Sequence, residues 1–146
     1  NLEILVQMYS TGLGFKILAD FEDHDGFDGV ILGNPNENYH LEFTHHRGTT
    51  VGKAPTDDNL LVFYIEDNAE WLKACTQAET SGFILVQSYN PYWDVLGKTY
   101  QDIDGYRVVL QNSAWGIYTC ITRQSSSRLS LPDSLTLAAV CGGMCL

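Results

Sequence analysis

The sequence predicts an α+β fold of two tandem βαβββ units, with the first strand of the first unit missing from its start. Three observations predict it. The periodicities run α-β-β-β and then β-α-β-β-β. Gly14-Phe15 after the first helix is answered by Gly82-Phe83 after the second, 68 residues on, and Tyr39–Phe43 by Tyr106–Leu110, 67 residues on. The unbroken apolar run Leu60–Ile65 opens the second unit as a buried strand and has no counterpart before Asn1.

Each element follows from local chemistry. Leu2, Leu5, Val6, Tyr9 and Leu13 stand at helical spacing, so a helix spans Asn1–Thr11 and Gly12 and Gly14 end it. Phe15–Asp20 reads as a strand, Asp23–Gly26 as a turn, and Val30–Leu32 as a second strand stopped by Gly33-Asn34-Pro35. Tyr39–His45 is a third strand, and Gly48–Asp58 is a loop. After Leu60–Ile65, Asp67 caps a helix with Glu70 in the capping-box position, and Trp71, Leu72, Cys75 and Ala78 form its apolar face. Gly82 ends that helix. Strands follow at Phe83–Val86, Thr99–Gln101 and Tyr106–Gln111, separated by the aromatic loop Tyr89–Trp93 and the turn Asp102–Gly105.

Composition sets limits on function. A formal charge of −10 argues against nucleic acid, which needs a basic face, and mildly favours cationic ligands. No apolar run reaches the roughly 18 residues of a membrane span, and no secretory signal is visible. Cytoplasm is therefore the default compartment. Residues 1–112 hold 17 of the 18 acids and form the body, which the repeat divides into a first, partial unit at 1–50 and a second unit at 51–112. Residues 113–146 form an extension with a Gln124–Ser127 linker and an apolar stretch, Leu135–Val140, fit for a strand or short helix. Cys75 reads as a buried thiol; the spacing of Cys141 and Cys145 matches a zinc knuckle poorly, although a metal or a disulfide there stays open.

Tyr9–Phe15 (YSTGLGF), Tyr39–Phe43 and the Asp102-Ile103-Asp104-Gly105 turn resemble motifs of the glyoxalase / bleomycin-resistance / extradiol dioxygenase (vicinal oxygen chelate) superfamily, and the resemblance covers Asn1 to about Asn112. It implies a mixed sheet curled into a cup in each unit, a small-molecule cavity between paired cups, and a homodimer. In metal-using members of the superfamily the ligands come from the first and fourth strands of each unit. Carried over, Glu42 fills one such position, Leu60 and Val109 stand at two others, and the remaining position would precede Asn1.

Strand alternation selects the cavity residues. Leu41 and Phe43 suit the helix-covered core, so His40, Glu42, Thr44 and His46 share the concave face. Tyr64, Arg107 and Gln111 face the cup from the second unit, and Tyr92 and Trp93 are placed to stack on a ligand or to plug the mouth. Two function classes follow. The first is a protein that binds or sequesters a small, cationic molecule without metal. The second is a lyase, isomerase or dioxygenase with a divalent metal on Glu42 and His40, or with Glu42 as a general base in desolvated surroundings. A polar wall in which Arg107 pairs with His40 or Glu42 is the favoured alternative to a metal. The His24 turn and the His45-His46 strand end read as solvated. The bare edge left in the first unit is expected to be filled by the tail or by a second subunit.

Overall fold

Asn1 caps the first helix, α1 (Leu2–Gln7), its side chain accepting the Ile4 N–H at 3.4 Å. The structure, a computed structural model, describes residues 1–116 together with the backbone of 136–140. After Gln7 the helix widens into a π-turn, Met8–Gly12, where the periodicity predicts a continued α-helix. The wider turn buries Met8, Tyr9 and Gly12 together. Gly12 lies hard against the end of the second helix: a Cβ there would stand 2.1 Å from Ser81 Oγ. Gly14, at φ +77°, lets the chain leave the helix.

The first unit is an antiparallel meander of β1 (Lys16–His24), β2 (Phe27–Gly33) and β3 (His40–His46), in the order β1-β2-β3. β1 is longer than its local pattern predicts because it pairs with β2 as far as His24 opposite Phe27. The second unit runs β4 (Leu60–Tyr64), α2 (Asn68–Thr80), β5 (Ile84–Val86), α3 (Trp93–Leu96), β6 (Gly97–Gln101) and β7 (Arg107–Gln111). Asp67 caps α2 as expected, accepting the Glu70 N–H at 2.9 Å. Of the predicted face, Cys75 and Ala78 are buried and Trp71 is partly buried, but Leu72 is half exposed. It sits about 100° round the helix from Trp71, off the stripe. The four residues of α3 carry no periodicity and read as loop in the sequence; Trp93 anchors them by burial.

The tail contributes a strand, β8 (Thr136–Val140). The second sheet is ordered β5-β6-β7-β4-β8, with β4 parallel to β7 and β8 antiparallel to β4. This corrects part of the expectation about the bare edge: the tail strand joins β4, and β3 is hydrogen-bonded only to β2 among the described strands. Cys120, Cys141, Cys145 and the Gln124–Ser127 linker lie outside the described residues.

One core spans both units, joining Leu5, Met8, Tyr9 and Phe15 to Phe63, Ala78, Phe83 and Val108. Tyr9 packs on Phe43 and Phe83 at centroid distances of 4.8 and 5.3 Å, and Phe15 on Phe63 at 5.7 Å. The opposite face of the five-stranded sheet holds a smaller cluster of Leu60, Val62, Trp93 and Val109.

Candidate functional site

β3 alternates as predicted: Leu41, Phe43 and His45 are half-buried, and His40, Glu42, Thr44 and His46 are exposed. A cavity of about 650 Å³ runs beside this strand. Residues from both faces of β3 line it, Leu41 and Phe43 as well as His40, Glu42 and Thr44, so it wraps the outer edge of the strand. Leu5 and Tyr9 close it on the helix side, Leu60 and Leu61 at the start of β4, and Asp102, Asp104 and Arg107 at the turn before β7.

Arg107 is buried but does not pair with His40 or Glu42, the polar-wall partners expected from sequence. Its Nη2 stands 3.0 Å from Asp57 Oδ1, its Nη1 donates to the Asp57 carbonyl, and its Nε donates to Gln101 Oε1 at 3.3 Å. The register explains part of this, since Gln101 lies opposite Arg107 on β6, while Asp57 arrives from a loop fifty positions away. Among the described residues the cavity therefore presents the carboxylates of Glu42 and Asp104 without a free guanidinium to balance them.

Tyr9 and Asp102 are a pair that the sequence reading missed. The Tyr9 hydroxyl donates to Asp102 Oδ2 at 3.0 Å. Asp102 Oδ1 also accepts the N–H groups of Asp104 and Tyr106 at 2.9 Å each, which fixes the turn. Burial pushes the Asp102 carboxyl up despite these bonds. Burial, reinforced by the Asp102 charge, pushes the Tyr9 phenol up as well. The only local signal was an Asp opening an Asp-x-Asp-Gly turn, which looks the same whether or not a helix residue 93 positions away donates to it.

The remaining predicted residues gather elsewhere. Tyr64 and Trp93 pack together with Val62 and Val109 on one face of the five-stranded sheet. Gln111 is buried on that side, and its Oε1 has no hydrogen-bond partner among the described residues. Tyr92 is exposed, its ring edge-on to Trp93 at 4.9 Å. Trp93 is buried in this cluster. Glu42 is exposed, and β3 is hydrogen-bonded to β2 alone among the described strands. The acidic turn is partly neutralised: Arg47 sits 2.6 Å from Asp28 and 3.1 Å from Asp23. His46 stacks on Phe27 at 4.6 Å.

Two family models cover most of the body, the YycE-like N-terminal domain over residues 1–44 and the YycE-like C-terminal domain over residues 58–112. The uncharacterised protein YycE of Bacillus subtilis is 39% identical over 113 residues, 77% of this chain and 81% of that protein. This chain belongs to the YycE-like family.

The crystal structure of a YycE protein of unknown function from Bacillus subtilis superposes with a TM-score of 0.74 at 38% identity, covering 81% of this chain and 85% of that one. More distant structural neighbours share the fold. Glyoxalase I of Leishmania major matches at TM-score 0.60 and 22% identity, covering 77% of this chain and 79% of that one. The fosfomycin resistance protein FosX of Mesorhizobium loti matches at 0.60 and 11%, covering 78% and 84%. The family lies in the glyoxalase / fosfomycin-resistance (vicinal oxygen chelate) superfamily.

Among the described residues, Glu42 alone of the three carried-over ligand positions holds a donor side chain. Leu60 and Val109 are buried and apolar where ligands are expected. Glu42 and His40 are alternate residues of one strand, about 6–7 Å apart. Among the described residues no three His, Cys, Asp or Glu side chains converge to hold a metal ion.

Proposed function

We propose that this YycE-like chain binds a small cationic molecule, by binding or sequestration, on the Glu42 side of the cavity beside β3. One observation carries the reading: the cavity presents Glu42 and Asp104 beside apolar Leu41 and Phe43, while its arginine is committed to Asp57. An apolar wall with a few aimed charges is what a small-ligand site needs, and unbalanced carboxylates favour a cation. The net charge of −10 adds long-range attraction of the same sign. Tyr92, exposed and edge-on to Trp93, offers an aromatic surface for such a ligand. The protein works as a cytoplasmic homodimer. A second reading, metal-dependent lyase or dioxygenase chemistry, is favoured by one feature alone: Glu42 stands at the superfamily's carboxylate position with His40 on the same face.

Elemental analysis of protein purified without chelator separates the two readings, with Glu42→Gln alongside. The expected result is no stoichiometric metal in either. A cationic ligand at about a hundred times its Kd then raises stability by about 2.7 kcal/mol, and Glu42→Gln removes most of that shift. Stoichiometric metal lost in Glu42→Gln would overturn this reading in favour of the enzyme.

A further inference from the structure

We propose that the Arg107 guanidinium is a carboxylate-binding subsite of the cavity, filled here by Asp57 of the same chain, and that a carboxylate on the ligand displaces Asp57. The ligand class that follows is a zwitterion, with its cation at Glu42 and its carboxylate at Arg107. The cation half of this inference rests on the reading proposed above.

Arg107 is the built part of the subsite. It opens β7, lines the cavity, and its side chain is only 10% exposed. Gln101, opposite it on β6, steers its Nε. A guanidinium carries five N–H donors in a planar fork that matches both oxygens of one carboxylate. Asp57 does not fill the fork in that way. One of its carboxylate oxygens, Oδ1, stands 3.0 Å from Nη2, and its carbonyl accepts from Nη1 at 3.4 Å. With Nε on Gln101, three of the five donors are engaged among the described residues.

Asp57 is the part that can leave. Its side chain is 61% exposed, and ion pairs open to water contribute little. It sits on the short segment between Ala54, whose N–H donates to the Asp104 carbonyl at 2.7 Å, and Leu60, where β4 begins. Thr56 holds the turn there by accepting the N–H groups of Asp58 and Asn59. The Asp57 carboxylate can therefore turn outward without breaking the turn or moving a strand. While no ligand is bound it keeps a buried guanidinium from standing unpaired, which would be costly. Once it leaves, the cavity offers a free cation beside the carboxylates of Glu42 and Asp104, and its volume of about 650 Å³ accommodates a molecule that reaches groups of both signs.

Three probes built on one chain length test it: butyrate, butyltrimethylammonium and γ-trimethylammoniobutyrate. Each is titrated into the full chain at constant ionic strength, with binding read by calorimetry. The zwitterion is expected to bind about tenfold tighter than the cation. Asp57→Asn frees Arg107 and is expected to tighten butyrate and the zwitterion by about tenfold without tightening the cation. Asp58→Asn makes the same charge change one residue on and is expected to leave all three affinities within about twofold. Equal affinities for zwitterion and cation, unmoved by Asp57→Asn, would overturn the subsite and leave the Glu42 reading standing. Equal tightening of butyrate by Asp57→Asn and Asp58→Asn would reduce the effect to net charge and overturn it as well. Butyrate tightened by Asp57→Asn alone, with the cation bound by neither form, would support the subsite and overturn the Glu42 reading. Binding of no probe to any form would overturn both.

Discussion

Gly97 shows how tightly single residues are held around the concave face. A Cβ on it would lie 2.4 Å from Gln111 Oε1, 2.8 Å from the Trp93 carbonyl oxygen and 3.0 Å from that of Leu110. Two of those neighbours are backbone and cannot swing aside. Gly97→Ala is expected to destabilise the fold by about 1–3 kcal/mol, seen as a lower urea midpoint at unchanged slope. Gly29 differs, because its Cβ would meet only the Phe21 ring, a side chain able to move. The alternation of His40, Glu42 and Thr44 needed only residue order. The partner of Arg107 needed a loop to fold back and deliver Asp57.

Among the elements, α2 is fixed at two points. Asp67 caps its start, and the Trp71 ring N–H donates to the Leu110 carbonyl at 2.9 Å, tying the helix to β7. Asp67→Ala leaves an N–H unsatisfied and is expected to cost about 1 kcal/mol, measurable as a fall in Tm with the sheet signal unchanged. Long, strongly patterned elements were legible: β4 from its apolar run and α2 from its cap and stripe. The π-turn was not, since its pitch is set by contact with Ser81 at the end of the other helix. α3 was not either, because four residues are too few to show a period.

For the whole molecule, the core shared by the two units contains two buried phenols, Tyr9 and Tyr100. Burial is the first cause of the raised Tyr9 and Tyr100 values, followed by Asp102 for Tyr9 and by Cys75 and Glu79 for Tyr100. Both ordinarily titrate at 10.0. A folded value above the unfolded one means that the contribution is complete below pH 10 and is lost as pH rises above it. The fold should therefore weaken steeply in alkali, with phenolate absorbance appearing together with loss of the circular-dichroism signal. In Tyr9→Phe one proton drops out, so the slope of stability against pH above 10 should be shallower by about 1.4 kcal/mol per unit. A slope equal to that of the unaltered chain would show that Tyr9 ionises freely in the folded state.

The sequence by itself determined the fold class and the alternation of β3, because periodicity and the near-constant offset are properties of residue order. Only the tertiary structure decided which groups meet. It gave Arg107 to Asp57, paired Tyr9 with Asp102, buried Trp93 beside Val62 and Val109 and laid the tail strand on β4. The physical reason is range. Alternation and capping act over a few residues, whereas these contacts join positions brought together by chain reversals whose packing no local pattern encodes.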